Sequence, residues 1–156
     1  MKVEVKKSNS GTNYIEIPSK IAEAFIKSGN KRIICSINSS YDHHCAIMRV
    51  KNSYYYLAIG KRIMNELNIK ANELLNVTFK EDKSELQFEI PEEFREVFET
   101  DPEAQKIFNG LTDGNKRGLI ALVLQVKSID KKIERSLKIA EKLKYGIKSP
   151  QLMLSK

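Results

Sequence analysis

The spacing of apolar residues changes at Pro91, and this change constrains the fold more than any other feature of the chain. Before Pro91, short segments alternate between apolar and polar residues, which is typical of strands, and two short helical segments interrupt them. After Pro91, apolar residues recur about every 3.6 residues, which is typical of amphipathic helices. The sequence therefore predicts an α+β protein, with strands up to about residue 90 and only helices beyond.

An internal repeat indicates how the first part could be built. The segment Tyr14–Phe25 aligns with Tyr56–Leu67, and each copy is predicted as a strand, a short helix and then another strand. Two such β-α-β units can pair around a pseudo-twofold axis and close into a small β-barrel with the helices as end caps, which would remove exposed strand edges. The alternative is a chance similarity between two β-α-β units.

The resulting domain prediction is a β-barrel domain over 1–90, a helical region over 91–148 and a tail over 149–156. The predicted strands are 2–8, 14–17, 32–37, 43–50, 54–59, 74–80 and 86–90. The predicted helices follow Pro18, cover 61–68, 92–99 and 102–108, begin near Gly114 after an Asp113 cap, and run from Asp130 to Gly146. The predicted apolar stripe of the last helix consists of Ile129, Ile133, Leu137, Ala140, Leu143 and Ile147.

Positive charge is concentrated in residues 113–156. This segment has eleven Lys and Arg residues against four acidic ones, which accounts for the whole formal net charge of +7. The candidate anion-binding residues are Lys116, Arg117, Lys127, Lys131, Lys132, Arg135, Lys138 and Lys142. A basic segment on a neutral body suits an anionic partner, for which we consider nucleic acid, an anionic lipid surface or an acidic protein.

Four of these residues form what we call the basic row, namely Lys131, Arg135, Lys138 and Lys142. At roughly 100° per residue they fall within a sector of about 60°, opposite the predicted apolar stripe. We therefore expect the basic row to be exposed to solvent and to bind polyanions. The alternative is a solvated helix face whose charges only aid solubility.

The sequence also predicts a cytoplasmic protein. No apolar run approaches the roughly 20 residues that span a bilayer, and the amino-terminal residues lack the apolar core of a signal peptide. In that compartment the two cysteines, Cys35 and Cys45, are expected to be reduced thiols.

Only one cluster, Asp42-His43-His44-Cys45, is a candidate metal-binding site. Successive side chains of a strand point to opposite faces, so His43 and His44 cannot share a ligand set, although Cys35 could supply a further ligand from a neighbouring strand. We favour a turn with solvent-facing histidines. The chain has no Gly-x-Ser-x-Gly elbow and no Gly-rich phosphate loop, so we predict a protein that is not an enzyme and has no cofactor and no metal.

Three consecutive tyrosines stand in a predicted strand. Alternation places Tyr54 and Tyr56 on one face of the sheet. Packing of aromatic rings across strands explains them, and a stacking platform for a ligand or a nucleic-acid single strand is the alternative.

Both parts of the chain resemble known families. Residues 1–90 resemble the small β-barrel domain of unknown function often found ahead of a helical tail in bacterial proteins, through Ile15-Glu-Ile-Pro18, the hairpin at Asn52 and Leu57-Ala-Ile-Gly-Lys61. Residues 91–148 resemble the bacteriocin-protection (YdeI or OmpD-associated) family. The matching residues there are Asp101–Ala104, Phe108, Lys116, Arg117, Lys127, Asp130, Lys132, Arg135, Lys138, Glu141 and Leu143. The resemblance implies a family label. Our first hypothesis is a non-enzymatic binding or protective module, similar to the proteins of that family.

A DNA-binding regulator is the second hypothesis. The repeated units of strand, Pro or Gly, and helix resemble the halves of AbrB-like swapped-hairpin barrels, which bind DNA as dimers. The basic residues near equivalent positions of the repeat are Lys20, Lys61 and Arg62. The region is charge-neutral, whereas DNA-binding surfaces need clustered Lys and Arg, so this hypothesis ranks second.

Overall fold

A computed structural model of the protein describes residues 1–154 and divides the chain into two compact units, Met1–Gln87 and Phe88–Lys156. The first unit contains strands β1 (Lys2–Glu4), β2 (Lys6–Lys7), β3 (Asn13–Ile17), β4 (Arg32–Ile37), β5 (Tyr41–Ala46), β6 (Met48–Arg49), β7 (Tyr55–Ile59) and β8 (Leu74–Glu81), with helices α1 (Ser19–Lys27) and α2 (Lys61–Glu66). The second unit contains helices α3 (Glu92–Glu99), α4 (Pro102–Asn109), α5 (Asp113–Leu124), α6 (Ile129–Lys144) and α7 (Pro150–Met153). The predicted α+β class is confirmed.

The strands form two four-stranded antiparallel sheets. Their strand orders are β1-β8-β4-β5 and β2-β3-β7-β6. Only Val5 separates β1 from β2, and only Ile47 separates β5 from β6, so two chain segments pass directly from one sheet to the other. The ladders establish two sheets, and closure into a barrel stays a prediction.

The ladder registers follow the internal repeat. In the alignment of Tyr14 with Tyr56, Ile15 is equivalent to Leu57, and these two residues face each other at the centre of the β3–β7 ladder. The same offset relates Ser36 to Thr78, which face each other in the β4–β8 ladder, one pair away from its centre. Each copy therefore pairs with its counterpart about a common pseudo-twofold axis.

Strict alternation along the strands fills the core of the first unit. In β4, Ile33, Cys35 and Ile37 are fully buried, whereas the residues between them are half-buried. Burying one face of each sheet in this way fixes the register, because a slip by one residue would turn the apolar side chains to solvent. The core continues through Val5, Ile15, Leu57, Ile59 and Leu75.

The predicted strand at 86–90 is wrong. Residues 86–90, all of them within the described part of the chain, have no strand pairing, and Gln87 has a positive φ of 53° that interrupts an extended conformation. Asp82 begins a local turn instead, because its carboxylate accepts a hydrogen bond of 2.9 Å from the backbone N–H of Ser84.

Three helices of the second unit begin at capping side chains. Asp101, Thr112 and Ser128 accept hydrogen bonds from backbone N–H groups at the starts of α4, α5 and α6. The cap of α5 is thus Thr112, and Asp113, predicted as the cap, is the first residue of the helix. Gly146 follows α6 with φ of 87°, the left-handed conformation that ends many helices.

The second unit has its own core. Phe94, Phe98 and Phe108 from α3 and α4 form an aromatic cluster with ring centroids 4.3 to 5.3 Å apart. The short helix α7, in the segment predicted as a tail, contributes the fully buried Met153.

Helix α6 buries a face that overlaps the predicted one only in part, because Ala140 and Leu143 of the predicted stripe are buried but other members are not. Its buried residues are Ser136, Ile139, Ala140 and Leu143, whereas Ile129 and Leu137 of the predicted stripe are 65% and 54% exposed. The small Ser136 can be buried because its hydroxyl donates a hydrogen bond of 2.7 Å to the carbonyl oxygen of Lys132. Helices α3, α4, α5 and α7 all pack against α6, so its buried sector is set by four neighbours and not by the apolar period alone.

Candidate functional site

Charge is segregated by helix in the second unit. Helices α3 and α4 expose carboxylates at Glu92, Glu96, Glu99 and Glu103. The eight candidate anion-binding residues all lie on α5, α6 and the loop between them. Helix α3 is therefore acidic, α4 is neutral because Lys106 offsets Glu103, and α5 and α6 carry net positive charge.

The basic row is not uniformly exposed, which corrects the sequence-based expectation. Arg135 is half-buried, and its guanidinium donates hydrogen bonds to the carbonyl oxygen of Leu122 at 2.7 Å and to Gln125 Oε1 at 3.1 Å. Lys142 is half-buried, and its ammonium donates to the carbonyl oxygen of Leu152 at 3.0 Å. The physical reason is that the row borders the buried sector of α6, against which α5 and α7 pack.

Two candidate residues on α5 also have protein surroundings. Lys116 is half-buried, with its ammonium 3.9 Å from Asp113 Oδ1 and 6.0 Å from the ring centroid of Phe108. Arg117 is half-buried as well. Neither presents a fully solvated charge.

A smaller group of cations stands at the start of α6, and we call it the basic cluster: Lys127, Lys131 and Lys132. Lys127 and Lys131 are exposed and Lys132 is half-buried. Within residues 1–154, no hydrogen bond or ion pair joins these three ammonium groups to the protein. Lys138, also half-buried, has no such partner in that range either.

The position of the basic cluster does not stabilise α6. Lys131 and Lys132 lie in the first turn of α6, where the positive end of the helix dipole disfavours cations by about 0.3–1 kcal/mol. The same end presents backbone N–H groups, so cations and dipole together favour an anion there.

The other end of α6 is closed by an ion pair. Lys144 Nζ lies 2.8 Å from Asp101 Oδ2, and the same carboxylate caps α4. The hydrogen bond from Lys144 lowers the pKa of Asp101, and it raises the pKa of Lys144 in return. The ammonium group of Lys144 is therefore already paired with a carboxylate of the same unit.

In the first unit, three tyrosines gather on the outer face of the second sheet. The rings of Tyr14 and Tyr54 are stacked with centroids 5.9 Å apart, and Tyr56 meets both edge-on at 5.5 and 6.2 Å. The sequence indicated Tyr54 and Tyr56 but missed Tyr14. The repeat contained the signal for Tyr14, because it aligns Ile15 with Leu57. When these two residues face each other, Tyr14 lies beside Tyr54 and Tyr56.

The two histidines have separate environments. His43 Nε2 donates a hydrogen bond of 2.8 Å to the carbonyl oxygen of Ala58, and burial lowers the pKa of His43. His44 Nδ1 lies 2.6 Å from Asp82 Oδ2, whose side chain is completely buried. Neither is the solvent-facing turn residue that the sequence predicted, because both belong to β5.

Asp82 was not predicted as a partner of His44. Burial favours the protonated carboxyl, yet hydrogen bonds from Ser84 and His44 outweigh it and lower the pKa of Asp82. Ser84 Oγ donates to Asp82 Oδ1 and lies 3.5 Å from the same ring nitrogen of His44, so the three residues do not form a nucleophile–base–acid relay. A partner so distant in sequence gives no local signal.

Two further features concern the whole described range. Over residues 1–154, no three His, Cys, Asp or Glu residues come together in a way that could hold a metal ion. No helix in that range is both long enough and apolar enough to cross a membrane.

Comparison with known families finds two matches, and the boundary between them lies close to the boundary between the two structural units. Residues 2–79 match the family described as domain of unknown function (DUF1905), and residues 87–146 match the family described as Bacteriocin-protection, YdeI or OmpD-Associated. No curated protein and no solved structure matches the chain. Since the first match covers half of the chain and the second covers α3 to α6, the protein belongs to the DUF1905 family and carries a bacteriocin-protection, YdeI or OmpD-associated segment after that domain.

Proposed function

We propose that the protein is a non-enzymatic binding module with a role related to bacteriocin protection, and that the basic cluster contacts an anionic partner. The family match of residues 87–146 supports the protective role. The observation that carries the contact is the basic cluster itself, in which three neighbouring ammonium groups lack a partner within residues 1–154.

The expected ligand chemistry is that of phosphate groups. Each lysine that neutralises a phosphate of a polyanion releases counterions, so binding must weaken steeply as salt rises. Ile129 stands between Lys127 and Lys131 and is 65% exposed. An exposed apolar side chain among cations suits an anionic lipid surface, where the apolar group enters the interface and the ammonium groups meet headgroups.

Two further parts of the proposal concern location and architecture. A cytoplasmic location is supported by the two cysteines, which are free thiols. Closure of the two sheets into one small barrel is supported by the two segments that cross between them through Val5 and Ile47.

Matched double variants test the contact. Lys127→Gln/Lys131→Gln removes two charges from the basic cluster, and Lys20→Gln/Lys61→Gln removes two exposed charges from the first unit at residues that the DNA-binding hypothesis uses. Wild type and both variants are titrated at low salt against vesicles containing anionic phospholipid and against duplex DNA. We expect the first variant alone to lose affinity, with a salt slope lower by about two.

The other outcomes discriminate between hypotheses. Equal losses in both variants would mean that only net charge matters, and the proposal would be rejected. Loss of DNA binding confined to Lys20→Gln/Lys61→Gln would favour the AbrB-like regulator. That hypothesis has weaker support, because the third residue, Arg62, is engaged by Glu66 at 3.3 Å and by the hydroxyl of Tyr41 at 3.4 Å.

A further inference from the structure

Two adjacent depressions are lined by the tyrosines of the second sheet, and the second depression is also lined by β5 of the first sheet. The first has a volume of about 160 Å³ and is lined by Ser8, Ser10 and Thr12 together with the three tyrosines. The second has a volume of about 290 Å³ and is lined in part by His43, His44 and Met48. Thr12 and Tyr56 line both, so the two depressions form one groove, which we call the tyrosine groove. Its size falls in the lower part of the roughly 300–1,000 Å³ range of ligand sites.

The aromatic residues of the groove are not part of the core. Along β7, Tyr55, Leu57 and Ile59 are buried, whereas Tyr54 and Tyr56 lie on the opposite face and are half-buried. The three rings pack against one another across neighbouring strands, as the sequence predicts, and this packing still leaves each residue half-buried. Each ring has an apolar surface and a polar hydroxyl, a combination common in binding sites that are dry at one end and wet at the other.

The polar groups of the first depression are neutral hydroxyls. Tyr54 and Tyr14 share a hydrogen bond of 3.2 Å between their hydroxyls, and Ser8 and Ser10 share one of 2.9 Å. Within residues 1–154, no protein group forms a hydrogen bond with the hydroxyl of Tyr56. The Thr12 hydroxyl is likewise without a protein partner there, because the hydrogen bonds of Thr12 involve its backbone.

The second depression adds a polarised ring nitrogen. His44 Nδ1 is held by Asp82 at 2.6 Å, which fixes the orientation of the ring. Within the described residues, no protein group bonds the other nitrogen, Nε2. His44 is among the residues that line the second depression, and its side chain is 19% exposed.

The charges near the groove argue against a nucleic acid. No Lys or Arg lines either depression, and the nearby ammonium of Lys6 is occupied by Glu16 at 2.8 Å. A single strand carries a phosphate for every base and needs a positively charged groove as well as aromatic rings. A neutral sugar ring, by contrast, can be bound by aromatic faces and by neutral hydrogen-bond donors and acceptors alone.

We propose that the tyrosine groove binds a neutral oligosaccharide. Sugar rings stack on the exposed faces of Tyr54 and Tyr56, and sugar hydroxyls bond the free hydroxyls of Tyr56 and Thr12 and the free nitrogen of His44. This site is in the first unit and is independent of the basic cluster.

Heteronuclear NMR of the full chain tests the proposal. The probes are maltohexaose, cellohexaose and the hexamer of N-acetylglucosamine, each titrated to 10 mM, with a dodecamer of deoxythymidine as the comparison. At least one sugar should shift the signals of Thr12, Tyr54 and Tyr56 and leave those of α6 unchanged. Tyr56→Phe should weaken that binding by about 3- to 10-fold through the loss of one hydrogen bond, and Tyr56→Ala by more.

Tyr145→Phe is the matched control, because Tyr145 is 78% exposed and belongs to the second unit. It should bind the sugar as wild type does. The proposal is overturned if no sugar shifts the groove residues at 10 mM, if Tyr145→Phe weakens binding as much as Tyr56→Phe, or if the deoxythymidine dodecamer alone occupies the groove. Because Tyr56→Phe keeps the ring, we expect its fold to be intact, and its NMR spectrum without sugar checks this.

Discussion

The guanidinium of Arg135 donates a hydrogen bond of 2.7 Å to the carbonyl oxygen of Leu122, and so ties α6 to α5. Leu122 lies near the carboxyl end of α5, where carbonyl groups have no partner within the helix. A cation there also suits the negative end of the helix dipole. Arg135 therefore satisfies a helix end, which is a structural role, although its sequence position suggested an anion-binding one.

Arg135→Gln should destabilise the second unit by about 1–3 kcal/mol, because a carbonyl acceptor loses a charged donor. The matched variant Lys131→Gln removes the same charge from an exposed side chain without a partner in residues 1–154 and should change stability by less than about 0.5 kcal/mol. Urea unfolding followed by circular dichroism measures both. Equal effects of the two substitutions would contradict a structural role for Arg135.

Two glycines of α5 should respond in opposite ways to alanine. A Cβ at Gly118 would lie 2.8 Å from Pro150 Cγ, whereas a Cβ at Gly114 would meet nothing within 4 Å. Gly114→Ala should stabilise the unit by up to about 1 kcal/mol through helix propensity. Gly118→Ala gains the same propensity but displaces α7, and should be less stable than Gly114→Ala by about 1–3 kcal/mol. Thermal unfolding of the two single variants compares them, and equal midpoints would show that α7 does not pack there.

The cysteines should resist alkylation in the native protein. Cys35 is fully buried and Cys45 is 5% exposed. Burial raises the pKa of Cys35 to about 12 and also raises the pKa of Cys45, so few thiolates exist at pH 8. Labelling with iodoacetamide at pH 8 should therefore follow the unfolding rate, and full labelling in urea serves as the control. Rapid labelling of the native protein would show that this part of the core opens easily.

The fold could be predicted where one physical signal dominates. Alternation defined β4 with both of its ends, because Ile33, Cys35 and Ile37 are all apolar and point inward, whereas polar Arg32 and Ser36 stand on the other face. The repeat between Tyr14 and Tyr56 predicted that two units pair around a pseudo-twofold axis, and the registers of the β3–β7 and β4–β8 ladders agree with it. The predicted strand at 86–90 was wrong because the alternation of apolar and polar residues does not reveal a residue with left-handed backbone conformation, such as Gln87.

The candidate site was predictable in composition but not in exposure. The positive charge does lie on α5 and α6, but the burial of Ser136 turns α6 away from the face that its apolar residues indicate. A buried serine looks polar in sequence, and only the hydrogen bond to Lys132 makes it a core residue. Which lysines keep free ammonium groups depends on the packing of α5 and α7, and no local pattern encodes that packing.

The last prediction concerns stability in mild acid. Burial lowers the pKa of His43 from its ordinary value of 6.5, so the unfolded chain takes up a proton near pH 6.5 while folded His43 remains neutral. The free energy of unfolding must then fall as pH decreases from about 6.5 toward the lowered pKa, by at most about 1.4 kcal/mol per pH unit for one group. The pKa of Asp82 is lowered from 3.8, so the stability it contributes is present above pH 3.8 and is lost only below that value. The two groups therefore act in separate pH windows.

His43→Gln isolates the upper window. Glutamine can still donate to the carbonyl oxygen of Ala58, but it does not titrate. Urea unfolding from pH 7.5 to 4.5 should show the stability of wild type falling relative to His43→Gln below about pH 6.5, since every other titrating group is common to both proteins. Asp101→Asn is the control, because the pKa of Asp101 is also lowered from 3.8 and its partner is Lys144 rather than a histidine: its stability relative to wild type should hold steady across this range and change only below pH 3.8. A constant difference between wild type and His43→Gln throughout would mean that His43 takes up its proton as easily in the folded protein as in the unfolded chain.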